Sequence, residues 1–294
     1  LIGMEACPSS HFWAREIAAL GHDVRLIPPA YVKPYVKRQK NDAADAEAIC
    51  EAVTRPNMRF VPVKTEDQQA VLVLHRSRDL LMRQRTMILN AIRAHFAEFG
   101  VIAAQGPRKV AELVRRLSDP DDGLDLPALA RSALLSLAAQ IEGLAKEIGK
   151  IEGQLMAWHR QNQASQRLET IPGVGIITAT AIAASVPDPS VFKSGRQFAA
   201  WLGLVPRQNS SGGKDRLGHV SKMGNGYLRR LLVVGATSVT RRAPTTDSRT
   251  GAWVRSLLER KPTRLVTVAI ANKTARTAWA LLVKGENYRA AAAI

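Results

Sequence analysis

An unbroken heptad repeat of apolar residues constrains the fold of this chain more than any other feature. Its members alternate at spacings of three and four residues: Leu134, Leu137, Ile141, Leu144, Ile148, Ile151, Leu155 and Trp158. Upstream, the same register is kept by Val71, Leu74, Leu81, Ile88, Ile92 and Phe99. Such a stripe lies along one side of a helix and must be covered by another helix. The repeat predicts two long helices, packed as an antiparallel coiled coil or as the assembly element of an oligomer, with a turn at 118–123.

Three polar residues interrupt the upstream part of this stripe. Arg78, Arg85 and His95 occupy positions where the register calls for apolar side chains. Two interpretations remain open. The arginines extend their aliphatic stems over the partner helix and keep their charge in water, or they contact the phosphates of a nucleic acid.

The first 62 residues follow the order strand, helix, strand, helix. Leu1–Met4 is a short apolar run, 12–20 has helical spacing, 23–27 alternates as a strand, and 43–53 is helical again. This order predicts an α/β domain with a parallel sheet. Because such sheets have more than two strands, we expect further strands upstream of Leu1.

Residues 166–294 predict a third, mostly helical region, after an α/β region at 1–62 and a long-helix region at 63–165. Near its start, Ile171-Pro172-Gly173-Val174-Gly175 separates two helical segments. The turn resembles a helix-hairpin-helix, in which backbone N–H groups at a helix start bind phosphate. Plain helical hairpins also contain such turns, so a purely structural role for Gly173 and Gly175 stays open.

The positive charge of the chain is concentrated in the third region. The formal net charge is +17, but residues 1–165 hold 22 Lys and Arg against 19 Asp and Glu, whereas 166–294 hold 20 against 6. An excess this localised favours a polyanionic partner such as nucleic acid, because bound cations release counterions from phosphates. The alternative is a solvated basic surface that maintains solubility.

Composition excludes several other classes of protein. A hydrophobic content of 46% argues against a disordered chain, and two cysteines cannot build a disulfide framework or a cysteine-rich zinc site. The sequence contains neither an apolar run of about 20 residues, as a membrane span requires, nor a secretory signal. We therefore expect a protein of a reducing compartment without a membrane partner.

Three carboxylates predict a metal site in the first region. Asp42 and Asp45 stand three residues apart at the start of a predicted helix, and Glu5 ends the first predicted strand. Strand ends and the helix starts that follow them converge in an α/β sheet, and oxygen ligands suit Mg²⁺ or Mn²⁺. Each residue also has a simpler explanation: Asp42 as a helix cap, Asp45 as a first-turn acid and Glu5 as a surface acid.

A glycine-rich loop in the third region carries candidate nucleophiles. Asn209-Ser210-Ser211-Gly212-Gly213-Lys214 presents serines in a sterically open setting. Five surrounding cations are candidate phosphate clamps: Lys214, Arg216, Lys222, Arg229 and Arg230. A serine activated by a base or a metal could attack phosphorus and form a covalent link to DNA. A flexible turn with incidental serines is the alternative.

Taken in order, these motifs resemble those of the IS110 family of insertion-sequence transposases, the DEDD recombinases. The matching segments are Glu5, 40–46, 171–175, 198–206, 210–213 and 218–225 with Leu228-Arg229. The resemblance implies a RuvC-like (RNase H-type) domain, a coiled coil and a helical transposase domain. Glu5, Asp42 and Asp45 match the last three acids of the family's catalytic tetrad. Ser211 matches its nucleophilic serine, with Ser210 as the neighbouring alternative.

The resemblance also implies a mechanism and partners. The acids would bind Mg²⁺ near the scissile phosphate, and the serine would form a phosphoserine link before strands exchange through a Holliday junction. Family members act on element ends and target DNA, use a bridge RNA as guide, and assemble as tetramers with composite sites. A bacterial, nucleoid-associated cytoplasmic protein is expected.

One departure from the family pattern weakens the catalytic expectation. The first Asp of the tetrad has no counterpart in this sequence, which predicts a truncated chain. Two alternatives therefore stay open. The chain is a catalytically inactive DNA- or RNA-binding module, or it is a junction resolvase of the RuvC type, in which the serine loop has no role.

Overall fold

The computed structural model describes residues 1–37, 41–119 and 124–289. Its strands are β1 (Ile2–Glu5), β2 (Val24–Ile27), β3 (Pro206–Gln208) and β4 (Leu217–Val220). Its helices are α1 (Ser10–Ala19), α2 (Pro29–Val32), α3 (Asp42–Val53), α4 (Glu66–Glu98), α5 (Pro107–Ser118), α6 (Ala128–Gln161), α7 (Gln163–Glu169), α8 (Ile176–Ser185), α9 (Gly195–Trp201), α10 (Gly226–Arg242), α11 (Arg249–Leu258) and α12 (Thr263–Lys284). Short 3₁₀ turns occur at Lys33–Tyr35, Pro189–Val191 and Ala243–Thr245. Lys40 of the family motif and residues 120–123 of the predicted turn lie outside the described residues.

The chain divides into two compact units. The first unit combines residues 1–72 with 159–294, and the second consists of residues 73–158. The chain leaves the first unit within α4 and returns to it at the end of α6. None of the helices in the described ranges is long and apolar enough to cross a membrane.

The predicted order of strand, helix, strand and helix at the start of the chain is confirmed. β1 and β2 pair in parallel, with Glu5 opposite Ile27. α3 packs closely on β1, since a Cβ on Gly3 would lie 2.9 Å from the Cβ of Val53. Helix α2 and the 3₁₀ turn that follows it connect β2 to α3, and neither was predicted from the sequence. Val61 adds an isolated antiparallel bridge to Leu26, so a third segment joins this small sheet.

Two long antiparallel helices, α4 and α6, form the second unit as the heptad repeat predicts. Arg78, near the start of α4, pairs with Glu152, near the end of α6, and the Arg78 Nε–Glu152 Oε1 distance is 2.7 Å. At the opposite end, Ile92 and Phe96 of α4 share a core with Leu134 of α6. The sequence did not predict α5, which contributes Val110, Leu113 and Leu117 to that core.

The upstream register differs from the predicted one at its end. Phe99 is 41% exposed and lies beyond the last residue of α4, whereas Phe96 is fully buried. The helix ends at Glu98, one residue before Phe99, and Phe96 is the last buried residue of the apolar stripe. Arg78 is half-buried in its ion pair, whereas His95 is exposed. The charge of Arg78 is thus balanced by Glu152 within the unit, an arrangement that neither interpretation of the seam arginines included.

The helices of the third region pack around α12. Eight of its side chains are buried, from Val266 to Leu281. α10 runs against α12 with Leu228, Leu232, Ala236 and Thr240 buried, and α7, α9 and α11 also pack on α12. The indole Nε1 of Trp279 donates to the carbonyl of Pro189 at 3.1 Å and ties the loop before α9 to this core.

A contact between two glycines joins the Pro-Gly-Val-Gly turn to the middle of α10. A Cβ on Gly235 would lie 1.9 Å from the carbonyl oxygen of Gly173, and a Cβ on Gly173 would lie 2.9 Å from the carbonyl oxygen of Gly235. Distances this short leave no room for a side chain at either position. The two backbones therefore touch directly, which explains Gly173 without any ligand.

We expect Gly235→Ala to destabilise the first unit by about 1–3 kcal/mol, since the added methyl group forces the turn away from α10. Gly149→Ala is the matched control. Gly149 lies inside α6 and a Cβ there would meet nothing within 4 Å, so alanine should stabilise that helix by about 0.5–1 kcal/mol. Thermal unfolding followed by circular dichroism measures both changes. Equal shifts in the two variants would contradict the glycine contact.

His75 makes the stability of the second unit depend on pH. Its side chain is buried in α4, and burial together with the charge of Arg78 lowers its pKa to about 4. The unfolded chain takes up this proton near the ordinary pKa of about 6.5. Stability is therefore lost as the pH falls from about 6.5 towards 4, by about 2 kcal/mol between pH 7 and pH 5. Urea unfolding at both pH values should show a smaller loss for His75→Gln, and an equal loss would contradict this assignment.

Candidate nucleic-acid site

The serine loop is the tip of a short, solvent-exposed β-hairpin. β3 and β4 pair antiparallel, and a bridge between Ser211 and Lys214 closes the turn. Gly212 and Gly213, the two central residues of the turn, have φ values of 57° and 74°. Positive φ at both positions is typical of a tight type I′ hairpin turn, which only glycine and a few polar residues adopt without strain. We refer to residues 206–220 as the Ser-Gly hairpin.

The two adjacent serines of this hairpin have different surroundings. Ser210 Oγ donates to Asp215 Oδ1 at 3.1 Å and accepts the backbone N–H of Arg216 at 3.1 Å. Ser211 is exposed at the turn, and its hydroxyl has no hydrogen-bond partner among the described residues. Ser210 therefore closes the hairpin across its strands, whereas the hydroxyl of Ser211 is available to an external group.

Glycine contacts and one arginine attach the base of the hairpin to the helical core. A Cβ on Gly224 would lie 1.8 Å from the carbonyl oxygen of Trp201, so the chain after β4 touches the end of α9 directly. Arg229 Nη1 donates to the carbonyls of Leu202 and Met223 at 3.0 and 2.8 Å. Asn225 caps α10 by accepting the N–H groups of Tyr227 and Leu228. The hairpin thus projects from a fixed base.

The candidate phosphate clamps differ in how free they are. Lys214, Arg216 and Lys222 are exposed and take part in no ion pair within the described ranges. Arg230 lies over the ring of Tyr227, with 5.3 Å between its guanidinium carbon and the ring centroid. Arg229 is held by the carbonyls at the hairpin base. The first three side chains are therefore open to an external anion, whereas Arg229 holds the base of the hairpin.

A cavity of about 420 Å³ borders the base of the hairpin. Met223 and Gly224 form one side of it, and its aromatic lining residues are Tyr31, Phe60, Phe192 and Trp201. Arg59 and Lys64 also line this cavity. Aromatic faces beside cations are a setting in which the bases of single-stranded nucleic acid stack.

The Pro-Gly-Val-Gly turn leads directly into α8. Gly175 occupies the cap position before Ile176 and is exposed, and a Cβ there would meet nothing within 4 Å. Gly173 instead packs on α10. The start of α8 at Gly175 is therefore open to an anion, while the rest of the turn is engaged in packing.

The three carboxylates of the first region lie on neighbouring elements. Glu5 is the exposed last residue of β1, and Asp42 and Asp45 lie in the first turn of α3. Asn41, not Asp42, caps this helix, since its side chain accepts the N–H of Ala44 at 2.8 Å. Asp42 is thus not needed as a cap, which removes one of its simpler explanations.

These carboxylates do not form a complete metal site. The described part of the chain contains no group of three or more His, Cys, Asp or Glu side chains close enough to hold a metal ion. Nor does any hydrogen bond link Ser211 to Glu5, Asp42 or Asp45 in the described ranges. The donor set within the described residues of one chain is therefore incomplete.

Sequence reasoning missed two parts of the hairpin's support. The bond between Ser210 and Asp215 depends on the strand pairing, and the role of Arg229 depends on the fold of the loop before α10. Neither leaves a pattern in the sequence. Asn225 does leave one, because an asparagine directly before a helical run is a typical helix cap.

Comparison with known proteins identifies the family. Residues 1–100 match a transposase family model of the DEDD type named for IS110, and residues 165–250 match the model described as "Transposase IS116/IS110/IS902 family". The "Probable family 20 transposase" of Pseudomonas aeruginosa is 49% identical, over 98% of this chain and 86% of its own length.

Two further relatives are transposases of named insertion sequences. That of IS1328 from Yersinia enterocolitica is 43% identical, over 97% of this chain and 84% of its own length. That of IS1111A from Coxiella burnetii is 40% identical, over 98% and 79%. Matches of this identity and coverage show that the chain belongs to the IS110/IS116 family of insertion-sequence transposases.

Proposed function

We propose that this transposase cuts and rejoins DNA at the ends of its insertion sequence and at its target, with Ser211 as the nucleophile. The observation that carries the proposal is the free, exposed hydroxyl of Ser211 at the tip of an anchored hairpin. Lys214 and Arg216 flank it on the same hairpin and supply positive charge for a scissile phosphate. Ser210, whose hydroxyl is engaged with Asp215, is the less favoured alternative.

The proposed step is a transfer of a phosphoryl group from DNA to serine. The Oγ of Ser211 attacks phosphorus, an Oγ–P bond forms, and the bond from phosphorus to one deoxyribose oxygen breaks. The hydroxyl proton passes to a base, and the leaving oxygen takes up a proton. Asp215 is the one carboxylate in the sequence of the hairpin. Rejoining reverses these steps with the hydroxyl of another strand, so no external energy source is needed.

The acids of the first region have a proposed role in the same centre. Glu5, Asp42 and Asp45 would serve as the catalytic carboxylates and as ligands of Mg²⁺ or Mn²⁺, which would stabilise charge on the reacting phosphate. Their donor set needs completion. A composite site, in which the acids of one subunit meet the serine of another within a tetramer, would bring the two groups together.

Guidance by a bridge RNA is a further part of the proposal. Base pairing would select the element ends and the target, while the protein holds the backbone of both nucleic acids. The positive excess of residues 166–294 supports a surface for more than one polyanion. The exposed cations of the hairpin belong to this charge, and Arg59 and Lys64 beside the aromatic cavity add to it.

The first test traps the covalent intermediate in bacterial cells that carry the gene with its flanking DNA. After denaturation and digestion with trypsin and nuclease, mass spectrometry should find a nucleotide on the peptide 208–214. Ser211→Ala should remove this adduct completely. Ser210→Ala should leave it in place at a reduced level, since that change loosens the hairpin but leaves the nucleophile.

Three outcomes would contradict the assignment of Ser211 as the nucleophile, and each has a different meaning. An adduct that survives Ser211→Ala would indicate that Ser210 is the nucleophile. Absence of any adduct from the unchanged chain would favour a second function, a nucleic-acid-binding module without chemistry. The observation that supports this second function is the incomplete metal site in the described residues. Junction cleavage that persists in Ser211→Ala would indicate a resolvase of the RuvC type.

The second test measures the contribution of the hairpin cations to DNA binding. We expect the double variant Lys214→Ala, Arg216→Ala to reduce the slope of log affinity against log salt by about 2, because two phosphate contacts are lost. Fluorescence anisotropy with a labelled duplex measures this slope. Lys109→Ala, Lys150→Ala is the matched control, since both lysines pair with a glutamate on their own helix. Equal slopes in both variants would contradict a hairpin contact with DNA.

A further inference from the structure

A second group of cations surrounds a cavity at the other end of α10 from the Ser-Gly hairpin. The cavity has a volume of about 630 Å³ and lies between the end of α10, the start of α11 and the middle of α12. Its positively charged lining residues are Arg242, Arg249, Lys273 and Arg289. No Asp or Glu is among the lining residues that the structure describes. We call it the cationic cavity.

The four charges have no internal counterion. None of these side chains takes part in an ion pair within residues 1–37, 41–119 and 124–289. Partial burial lowers the pKa of Lys273, and the like charges of Arg249 and Arg276 lower it further. Four cations around one hollow repel one another, and an anionic ligand would relieve this repulsion.

Neighbouring polar groups complete the cavity. Ser248 caps α11 and accepts the N–H of Gly251 at 3.1 Å, so the start of a ten-residue helix faces this region. The guanidinium of Arg255 donates to the carbonyls of Ala243 and Thr246 at 2.7 and 2.9 Å and holds the intervening loop in place. Ser238 and Thr250 add hydroxyls to the lining.

The size of the cavity decides between a single anion and a larger ligand. Its volume lies within the range of about 300–1,000 Å³ that ligand-binding clefts occupy. Since one water takes up about 30 Å³, the cavity is far larger than a single phosphate needs. Four cations spread over three helices and the segment after α12 fit several phosphates in sequence better than one.

We propose that the cationic cavity binds the phosphodiester backbone of a nucleic acid, as an anchoring site separate from the Ser-Gly hairpin. α10 has 17 residues, so its two ends lie roughly 25 Å apart. That distance corresponds to about seven nucleotides along one strand at 3.4 Å each. One strand could therefore occupy both sites. The inference rests on the proposed nucleic-acid function, but not on the identity of the nucleophile.

Chemical labelling of Lys273 tests the site in the unchanged protein. Acetylation by an N-hydroxysuccinimide ester is followed by mass spectrometry, with a DNA 20-mer, an RNA 20-mer or inorganic phosphate alone present. We expect an oligonucleotide to slow the labelling of Lys273 at least about fivefold and to leave Lys261 unaffected. The DNA and RNA arms identify which backbone is bound. Unchanged labelling with saturating oligonucleotide, or equal protection by phosphate alone, would overturn the proposal.

A pair of double variants provides the second measurement. Arg242→Ala, Arg249→Ala should weaken oligonucleotide binding about tenfold and lower the salt slope by about 2. Lys261→Ala, Arg264→Ala removes equal charge from the exposed segment formed by the loop after α11 and the first turn of α12, and should change affinity by less than about twofold. Equal weakening of binding in both double variants would show that the cavity contributes only general surface charge, and this result would overturn the proposal.

These results are separable from those for the proposed function. If Ser211 forms no adduct while Lys273 is protected, the cavity binds nucleic acid and the serine chemistry is wrong. If the adduct forms while Lys273 remains unprotected, the serine chemistry stands and the anchoring site is wrong.

Discussion

Direct backbone contacts at glycines fix the two features on which the functional proposals depend. Gly235 touches Gly173 at the middle of α10, and Gly224 touches Trp201 just before α10 begins. Because no side chain separates these backbones, the Pro-Gly-Val-Gly turn and the hairpin base have little freedom to shift against the helical core. A nucleophile at a hairpin tip benefits from such a base, since catalysis requires a reacting atom that is held close to its productive position.

The charges of the third region divide into those used inside the protein and those left for a partner. Arg229 and Arg255 direct their guanidinium groups at backbone carbonyls and hold loops in place. Lys214, Arg216 and the four cations of the cationic cavity hold no backbone carbonyl among the described residues, although Lys273 lies over the ring of Trp253. Net charge alone does not distinguish arginines that hold loops from arginines that are open to a phosphate, because each contributes the same charge to the sequence.

The sequence predicts patterns that repeat along a helix or strand, and it misses contacts between distant segments. The heptad residues from Leu134 to Trp158 predicted α6, and the alternation at 23–27 predicted β2, because burial of one face imposes a period. α5 was missed, since Val110, Leu113 and Leu117 make too short a stripe to stand out. The cationic cavity was missed as well, because Arg242 and Lys273 approach each other only through the packing of α10 on α12.

The serine and the acids do not form a complete catalytic centre within the described residues of one chain. The described chain contains neither a three-ligand carboxylate group nor a bond from Ser211 to the acids of β1 and α3. The hairpin that carries Ser211 is anchored at its base, so large movements towards those acids would break the contacts at Gly224 and Arg229. Under the proposed function, acids from another copy of the chain would complete the centre without disturbing the hairpin base. The rigidity of that base therefore favours a composite site over a large movement of the hairpin within one chain.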